Sequence, residues 1–180
     1  MIALQTLRLP FGEMLAGATE RGICLLEFFE NGRTNMQLTR LETLFEGSSE
    51  HSDSEYFGPL RTQLAEYFEG ERSEFSIPMD IRGTEFQVRA WNSLRKIPYG
   101  QTRSYEEQAT AVGSPRAVRA VANANRNNRI SILLPCHRVI GKNGSLTGYG
   151  GGLDRKRILL ELEGALPETK TSEQMSLFQT

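Results

Sequence analysis

The chain's 180 residues are 38% hydrophobic and 24% charged, enough for one large domain or two small ones with separate cores, and the net charge of −1 hides 6 basic against 14 acidic side chains in residues 1–80 and 15 against 8 in residues 81–180. No apolar run is long enough to cross a bilayer, Met1-Ile2-Ala3-Leu4-Gln5 lacks the basic start and apolar stretch of a secretory signal, and two cysteines with two histidines make neither a disulfide framework nor a Cys/His metal cluster. These features argue against a membrane span, export and a bound metal, and we expect a soluble, cytoplasmic protein whose second half can face a polyanion.

Gly12–Ala18 and Ile23–Phe29, joined across Glu20-Arg21-Gly22, read as a hairpin of half-buried strands, which makes Cys24 a small core residue. Arg33–Phe45 places Met36, Leu38, Leu41, Leu44 and Phe45 at helical spacing. The polar run Glu46–Asp53 is then expected to be loose, and His51 within it is a poor catalytic candidate. A second helix over about Glu55–Glu69 presents Tyr56, Leu60, Leu64, Tyr67 and Phe68 on one side. Residues 1–80 therefore form a small α/β domain of antiparallel strands plus helices with no visible chemistry, and 76–84 a connector, in an α+β protein.

Residues 85–165 read as a mostly helical domain. Thr84 with Gln87, and Ser104 with Glu107, each fit a capping box, in which two side chains satisfy free backbone donors at a helix start. Gly113 is a left-handed helix stop, and Ser114-Pro115 opens a further helix. Helix, glycine turn and basic helix over about Ser104–Asn125 make a helix-turn-helix, winged-helix-like DNA-binding element. No acidic residue lies between Glu107 and Asp154, while Arg116, Arg119, Arg126, Arg129, Arg138 and Lys142 do; the stretch is either a solvated face or a nucleic-acid surface. Ala117, Ala120 and Ala124 fall at helical spacing, and that strip either lies against a sugar-phosphate backbone flanked by Arg116 and Arg119 or packs on the neighbouring helix.

Ile130–Leu134 reads as a short buried strand ended by Pro135, and Cys136-His137-Arg138 follows it. Thiolate rather than thiol attacks carbon, so Cys136 needs a base or a positive field, and His137 can act through a bridging water. A carboxylate on the helix from about Asp154 to Glu163 would orient the imidazole; spacing alone leaves Glu161 and Glu163 open.

Pro135-Cys136-His137-Arg138-Val139-Ile140-Gly141, with Gly148-Tyr149 and Gly151-Gly152-Leu153 after it, resembles the active-site signature of the O6-alkylguanine-DNA alkyltransferases, the methylated-DNA-protein-cysteine methyltransferases. Ile97-Pro98-Tyr99-Gly100-Gln101-Thr102, Ser104-Tyr105 and Pro115-Arg116-Ala117-Val118-Arg119-Ala120-Val121 match the same family in order and spacing. The match runs over about Thr84–Gly164; earlier residues resemble the family only in size and α/β makeup, and Ala122 and Arg129 replace a frequent Gly and Pro.

This resemblance implies DNA repair by a single, irreversible transfer of an alkyl group from O6-alkylguanine, with O4-alkylthymine as a further candidate substrate, onto Cys136, without cofactor or metal. It implies His137 as water-linked base, Glu163 as its orienting carboxylate, Asn128 as a brace for the loop and Tyr105 as proton donor to the departing guanine. Arg119 would fill the place of the flipped nucleotide, and Arg116, Ala117, Ala120, Arg126 and Arg138 join it as DNA contacts. Pro135, Tyr149 and Gly150 would line the alkyl pocket. The partner implied is double-stranded DNA containing alkylated guanine, met by a monomer. The alternatives are a winged-helix or alkyltransferase-like DNA-binding protein without chemistry, against which Cys136 speaks, and a cysteine hydrolase, for which only His51 is left as a base.

Residues 166–180 read as a flexible polar tail ending in Gln174-Met175-Ser176-Leu177-Phe178, which resembles the short Gln-Leu-Ser/Asp-Leu-Phe motif by which bacterial replication and repair proteins dock on the DNA sliding clamp. Gln174, Leu177 and Phe178 are its expected contacts, and a frayed tail is the alternative.

Overall fold

The computed structural model describes residues 1–29 and 31–166, and the chain divides into two compact units between Arg82 and Gly83. The first unit opens with β1 (Ile2–Leu9), a strand in residues whose sequence argued only against a signal. Strand β2 (Gly12–Thr19) pairs antiparallel with β1 and with β3 (Gly22–Phe28). The hairpin is not half-buried: every residue of β3, and Met14–Ala18 of β2, is buried. A sheet covered on both faces is written as a continuous apolar run rather than an alternating one, and the small residues Ala16, Gly17 and Ala18 blurred that signal.

Helix α1 (Asn31–Phe45) packs Leu38, Leu41 and Phe45 against Ile2, Leu4, Leu15, Cys24 and Leu25, so Cys24 lies in the core. The polar run after α1 is not loose. Its Ser49–His51 forms β4, the parallel edge strand beside β1 in the order β3-β2-β1-β4. Backbone bonds from Ile2 to Ser48 and from Ser52 to Leu4 fix it, and the Glu42 carboxylate accepts from the Ser49 amide at 3.0 Å and hydroxyl at 2.6 Å. An edge strand needs no apolar face, which is why composition hid it. After α2 (Phe57–Phe68), the expected connector also joins the sheet: the Ile23 amide donates to Pro78 and Asp80 donates back to Ile23.

The second unit is mostly helical. Helix α3 (Glu85–Leu94) begins with the Thr84/Gln87 capping box and α4 (Tyr105–Ala111) with the Ser104/Glu107 box, each reciprocal and worth about 1 kcal/mol to its helix start. Gly113 turns the chain at φ 75. Helix α5 (Val118–Arg126) begins later than expected, because Ser114–Ala117 closes a turn of its own in which the Ala117 amide donates to Ser114. Helices α4 and α5 form the helix-turn-helix and are locked to α3 by a buried polar knot. Gln108 and Asn125 exchange side-chain hydrogen bonds at 2.7 and 3.1 Å, Gln108 also donates to Ser93 and to the Ala90 carbonyl, and the Trp91 indole donates to Ala124 at 2.8 Å. Buried amides that bond reciprocally fix a single helix packing, whereas apolar contacts alone tolerate slippage. Strand β5 (Arg103–Ser104) pairs in parallel with β6 (Val139–Ile140), and α6 (Leu153–Leu162) closes the unit. The β5–β6 pair ties the chain just before Tyr105 to the chain just after Arg138, which brings α4 to the cysteine.

Candidate active site

Cys136 opens a single 3-10 turn, Cys136–Arg138, and what precedes it is not a strand. Residues 130–134 run through successive turns, with Leu134 donating to Ile130 and Leu133 to Ser131, and Ile132 is held at φ 72. A β-branched residue in that region costs roughly 1–3 kcal/mol, which the burial of Ile130, Ile132, Leu133 and Leu134 offsets. The apolar run misled because a buried turn and a buried strand have the same composition. Asn128 decides between them. Its Oδ1 accepts from the Ile130 amide at 2.9 Å, its Nδ2 donates to the Leu134 carbonyl at 2.8 Å, and Nδ2 lies 3.2 Å from Cys136 Sγ. One buried amide therefore ties off the loop and donates to the sulfur.

Behind the sulfur lies a closed ionic network. His137 is fully buried, and its Nε2 meets Glu163 Oε1 at 2.7 Å. Arg138 grips the same carboxylate with both arms, Nε to Oε2 at 2.8 Å and a terminal nitrogen to Oε1 at 3.0 Å, and gives its other nitrogen to the Ile97 carbonyl at 2.6 Å. Burial by itself would raise the carboxyl pKa of Glu163; bonds and charge from His137 and Arg138 overcome it and hold the group down at about 2. His137 is pushed below its usual value of 6.5 by burial, against the pull of Glu163. At neutral pH the carboxylate is thus charged and the imidazole neutral, with Nε2 carrying the proton it donates to Glu163. Nδ1 keeps its lone pair, is buried and takes no hydrogen bond from a described residue. Glu163, not Glu161, orients the imidazole.

Tyr105, next to β5, donates its hydroxyl to the Thr147 carbonyl at 2.9 Å. Burial raises its pKa, and negative charge at Cys136 adds to the effect, so it keeps its proton. Gly148 makes this approach possible: it adopts φ 62, and a Cβ there would come within 3.2 Å of the Tyr105 hydroxyl. Lys156 was missed in the sequence. It is completely buried, donates to the carbonyls of Val139 and Thr147, and lies under the Tyr105 ring, 5.8 Å from its centre. Its signal is a charged residue in step with Leu159, Leu160 and Glu163, positions that face inward at helical period.

The basic residues separate into two groups. Arg116, Arg119, Ala120 and Arg126 are exposed, Ala117 is half-buried, and Ala124 points into the core where it accepts from Trp91, so the alanine strip ends at Ala120. Arg138, grouped with the DNA contacts, does not belong there: it is 6% exposed and committed to Glu163 and Ile97. Arg129, which replaces the expected proline, lies over the Trp91 ring at 5.7 Å. Pro135 and Tyr149 are buried and Gly150 half-buried, whereas Gln174, Leu177 and Phe178 lie outside the described residues.

Comparison with known proteins extends over both units. The DNA-binding-domain family of 6-O-methylguanine DNA methyltransferase matches residues 85–165, and the ribonuclease-like-domain family of the same enzyme matches residues 2–81, where the sequence motifs gave only size and makeup. The methylated-DNA–protein-cysteine methyltransferase of Mycobacterium tuberculosis is 47% identical over 166 residues, 91% of this chain and 93% of its own; the constitutive enzyme of Bacillus subtilis is 43% identical over 159 residues, 88% and 93%. The crystal structure of Mycobacterium tuberculosis O6-methylguanine methyltransferase superposes with a TM-score of 0.75 at 40% identity over 99% of each chain, and a structure from the same organism in complex with DNA superposes with a TM-score of 0.76 at 41% identity over 91% and 93%. Near full-length identity to these enzymes, together with matches in both halves, means that this chain belongs to the 6-O-methylguanine DNA methyltransferase family.

Proposed function

We propose that the protein repairs DNA by moving an alkyl group from O6-alkylguanine to Cys136, in one stoichiometric and irreversible event. The observation that carries this reading is the oriented base beside a buried thiol: His137 neutral, its Nε2 proton held by Glu163 and its Nδ1 lone pair uncommitted. The thiol proton passes to Nδ1 through a water. Sγ then attacks the alkyl carbon, the carbon–O6 bond breaks with its electron pair going to guanine, and Tyr105 protonates the departing base. The product is a thioether that water does not reverse, so each molecule acts once, and no step calls for a cofactor. Pro135, Tyr149 and Gly150 line the alkyl pocket in this reading. Asn128 braces the loop and donates to the sulfur as negative charge develops there. Incubation with an O6-methylguanine oligonucleotide followed by intact mass and peptide mapping tests it: one methyl per molecule, on Cys136, is expected, and an adduct on Cys24 or a transient adduct refutes it.

The target carbon is inaccessible inside the base stack, so the nucleotide must rotate out. The exposed, acid-free face of α5 supports a DNA-binding role, with Arg119 filling the gap and Arg116, Ala117, Ala120 and Arg126 along the backbone. Flipping costs a few kcal/mol, so Arg119→Ala should slow transfer from duplex DNA by about a hundredfold and from free O6-methylguanine by less than about threefold. Equal losses would remove Arg119 from this role. Arg116→Ala should weaken binding to any sequence and reduce the salt slope by about 1.

A monomer in the cytoplasm suits this work; neither cysteine is in a disulfide, and no helix among the described residues is long and apolar enough to cross a membrane. Gln174, Leu177 and Phe178 support docking on the DNA sliding clamp, because two apolar side chains near the end of a polar segment fit a pocket better than water. Deleting residues after Glu173 should abolish clamp binding and leave transfer from short oligonucleotides unchanged. No affinity of the intact protein for its own clamp at micromolar concentration ends that idea.

A further inference from the structure

A buried ammonium needs compensation, and Lys156 has little from its hydrogen bonds. Two carbonyls, from Val139 and Thr147, receive its protons, and both are neutral. The carboxylate on the same helix face, Glu163, is occupied by both arms of Arg138 and by His137. Three titratable groups answer to the Lys156 charge or share its surroundings: Cys136 from the 3-10 turn, His137 next to it, and Tyr105 from α4. His137 is kept neutral partly by the Lys156 charge itself, and Tyr105 keeps its proton. Arg138 and Glu163 cancel each other. Negative charge on the Cys136 sulfur is what favours the buried cation against its desolvation.

We propose that Lys156 is a positioning residue for alkyl transfer: its ammonium supplies the positive field that favours the Cys136 thiolate, while its two carbonyl contacts hold the segments at Val139 and Thr147. The proposal rests on Cys136 being the alkyl acceptor. Val139 directly follows the Cys136–Arg138 turn, and Thr147 directly precedes Gly148-Tyr149, so one side chain on α6 ties both to a rigid element. The Thr147 carbonyl has two lone pairs and serves both Lys156 and Tyr105. When Tyr105 turns its proton toward the base, the carbonyl keeps the Lys156 donor and is not left unpaired in a buried site. Burial draws Lys156 down from 10.5 to about 8, against the opposing pull of negative charge at Cys136, so the side chain is still a cation at neutral pH. The coupling is reciprocal: whatever the thiolate does to favour the ammonium, the ammonium does to favour the thiolate.

The test follows the pH dependence of iodoacetamide modification at Cys136, located by peptide mass, in the wild type, Lys156→Met and Lys156→Arg, each checked for cooperative thermal unfolding. Lys156→Met should raise the midpoint by about one unit, making modification at pH 7 about tenfold slower with the high-pH plateau retained, and Lys156→Arg should restore most of the difference. A folded Lys156→Met protein with the wild-type midpoint, or an arginine variant shifted as far as methionine, overturns the proposal. Should Lys156→Met fail to fold, NMR titration of the Lys156 side chain in wild type and Cys136→Ser carries the same question. Loss of the thiolate should lower the Lys156 midpoint by about one unit, and identical midpoints overturn the proposal. Neither assay uses alkylated DNA, so a wild type that shows this coupling but takes no methyl from an O6-methylguanine oligonucleotide overturns the acceptor reading, and with it the role in transfer, while the coupling of Lys156 to Cys136 stands.

Discussion

Cys136→Ser should lose all measurable alkyl transfer while binding DNA with an affinity within about threefold of the wild type, since a buried sulfur contributes nothing to phosphate contacts. The serine hydroxyl still accepts the Asn128 amide that lies 3.2 Å from the sulfur, so the loop keeps its tie and a lost activity cannot be ascribed to a lost fold. A hydroxyl is far less acidic than a thiol, and a neutral imidazole does not ionise it for attack on carbon. Single-turnover transfer from a methylated duplex and fluorescence binding to the same duplex measure the two quantities. Residual transfer at even a few per cent of the wild-type rate places the acceptor elsewhere.

Glu163→Gln should strongly destabilise the second unit. The carboxylate accepts from His137 and from both arms of Arg138, all buried; an amide in its place points its own NH2 at one of these donors and leaves the guanidinium without a counter-charge. Breaking a buried pair from one side costs about 3–5 kcal/mol at pH 7, read from the urea midpoint. The acid limb gives an independent sign. Glu163 is held near 2 in the folded protein against 4.5 ordinarily, so its contribution, about 3 kcal/mol, is present above 4.5 and is lost as the pH falls toward 2. His137 acts in the same direction at higher pH: buried neutral, it makes folding progressively less favourable below its ordinary 6.5. In Glu163→Gln the limb between 4.5 and 2 should flatten. Transfer should also slow by about a hundredfold, because the imidazole loses the negative charge that favours its protonated form when it takes the thiol proton. Wild-type stability at pH 7 in this variant means the network does not carry the load assigned to it.

What the sequence determined by itself was whatever depends on neighbours three or four residues apart. The two capping boxes and the Gly113 stop are local, and side chains and backbone within one turn decide them. The Pro135-Cys136-His137-Arg138 motif marked the chemistry, but its geometry depends on Glu163, 26 positions beyond His137, which only the docking of α6 selects over Glu161. Tertiary structure alone decided the rest. An arginine in a basic stretch is equally suited to a phosphate or a buried carboxylate, and burial put Arg119 in solvent and Arg138 against Glu163. The run Ile130–Leu134 is a turn because Asn128 claims its backbone groups, and Ser49–His51 is a strand because β1 offers a free edge; neither cause lies within the segment it shapes. Lys156 looks like an ordinary surface lysine until helix α6 is laid against the cysteine loop, and its buried charge then becomes part of the site.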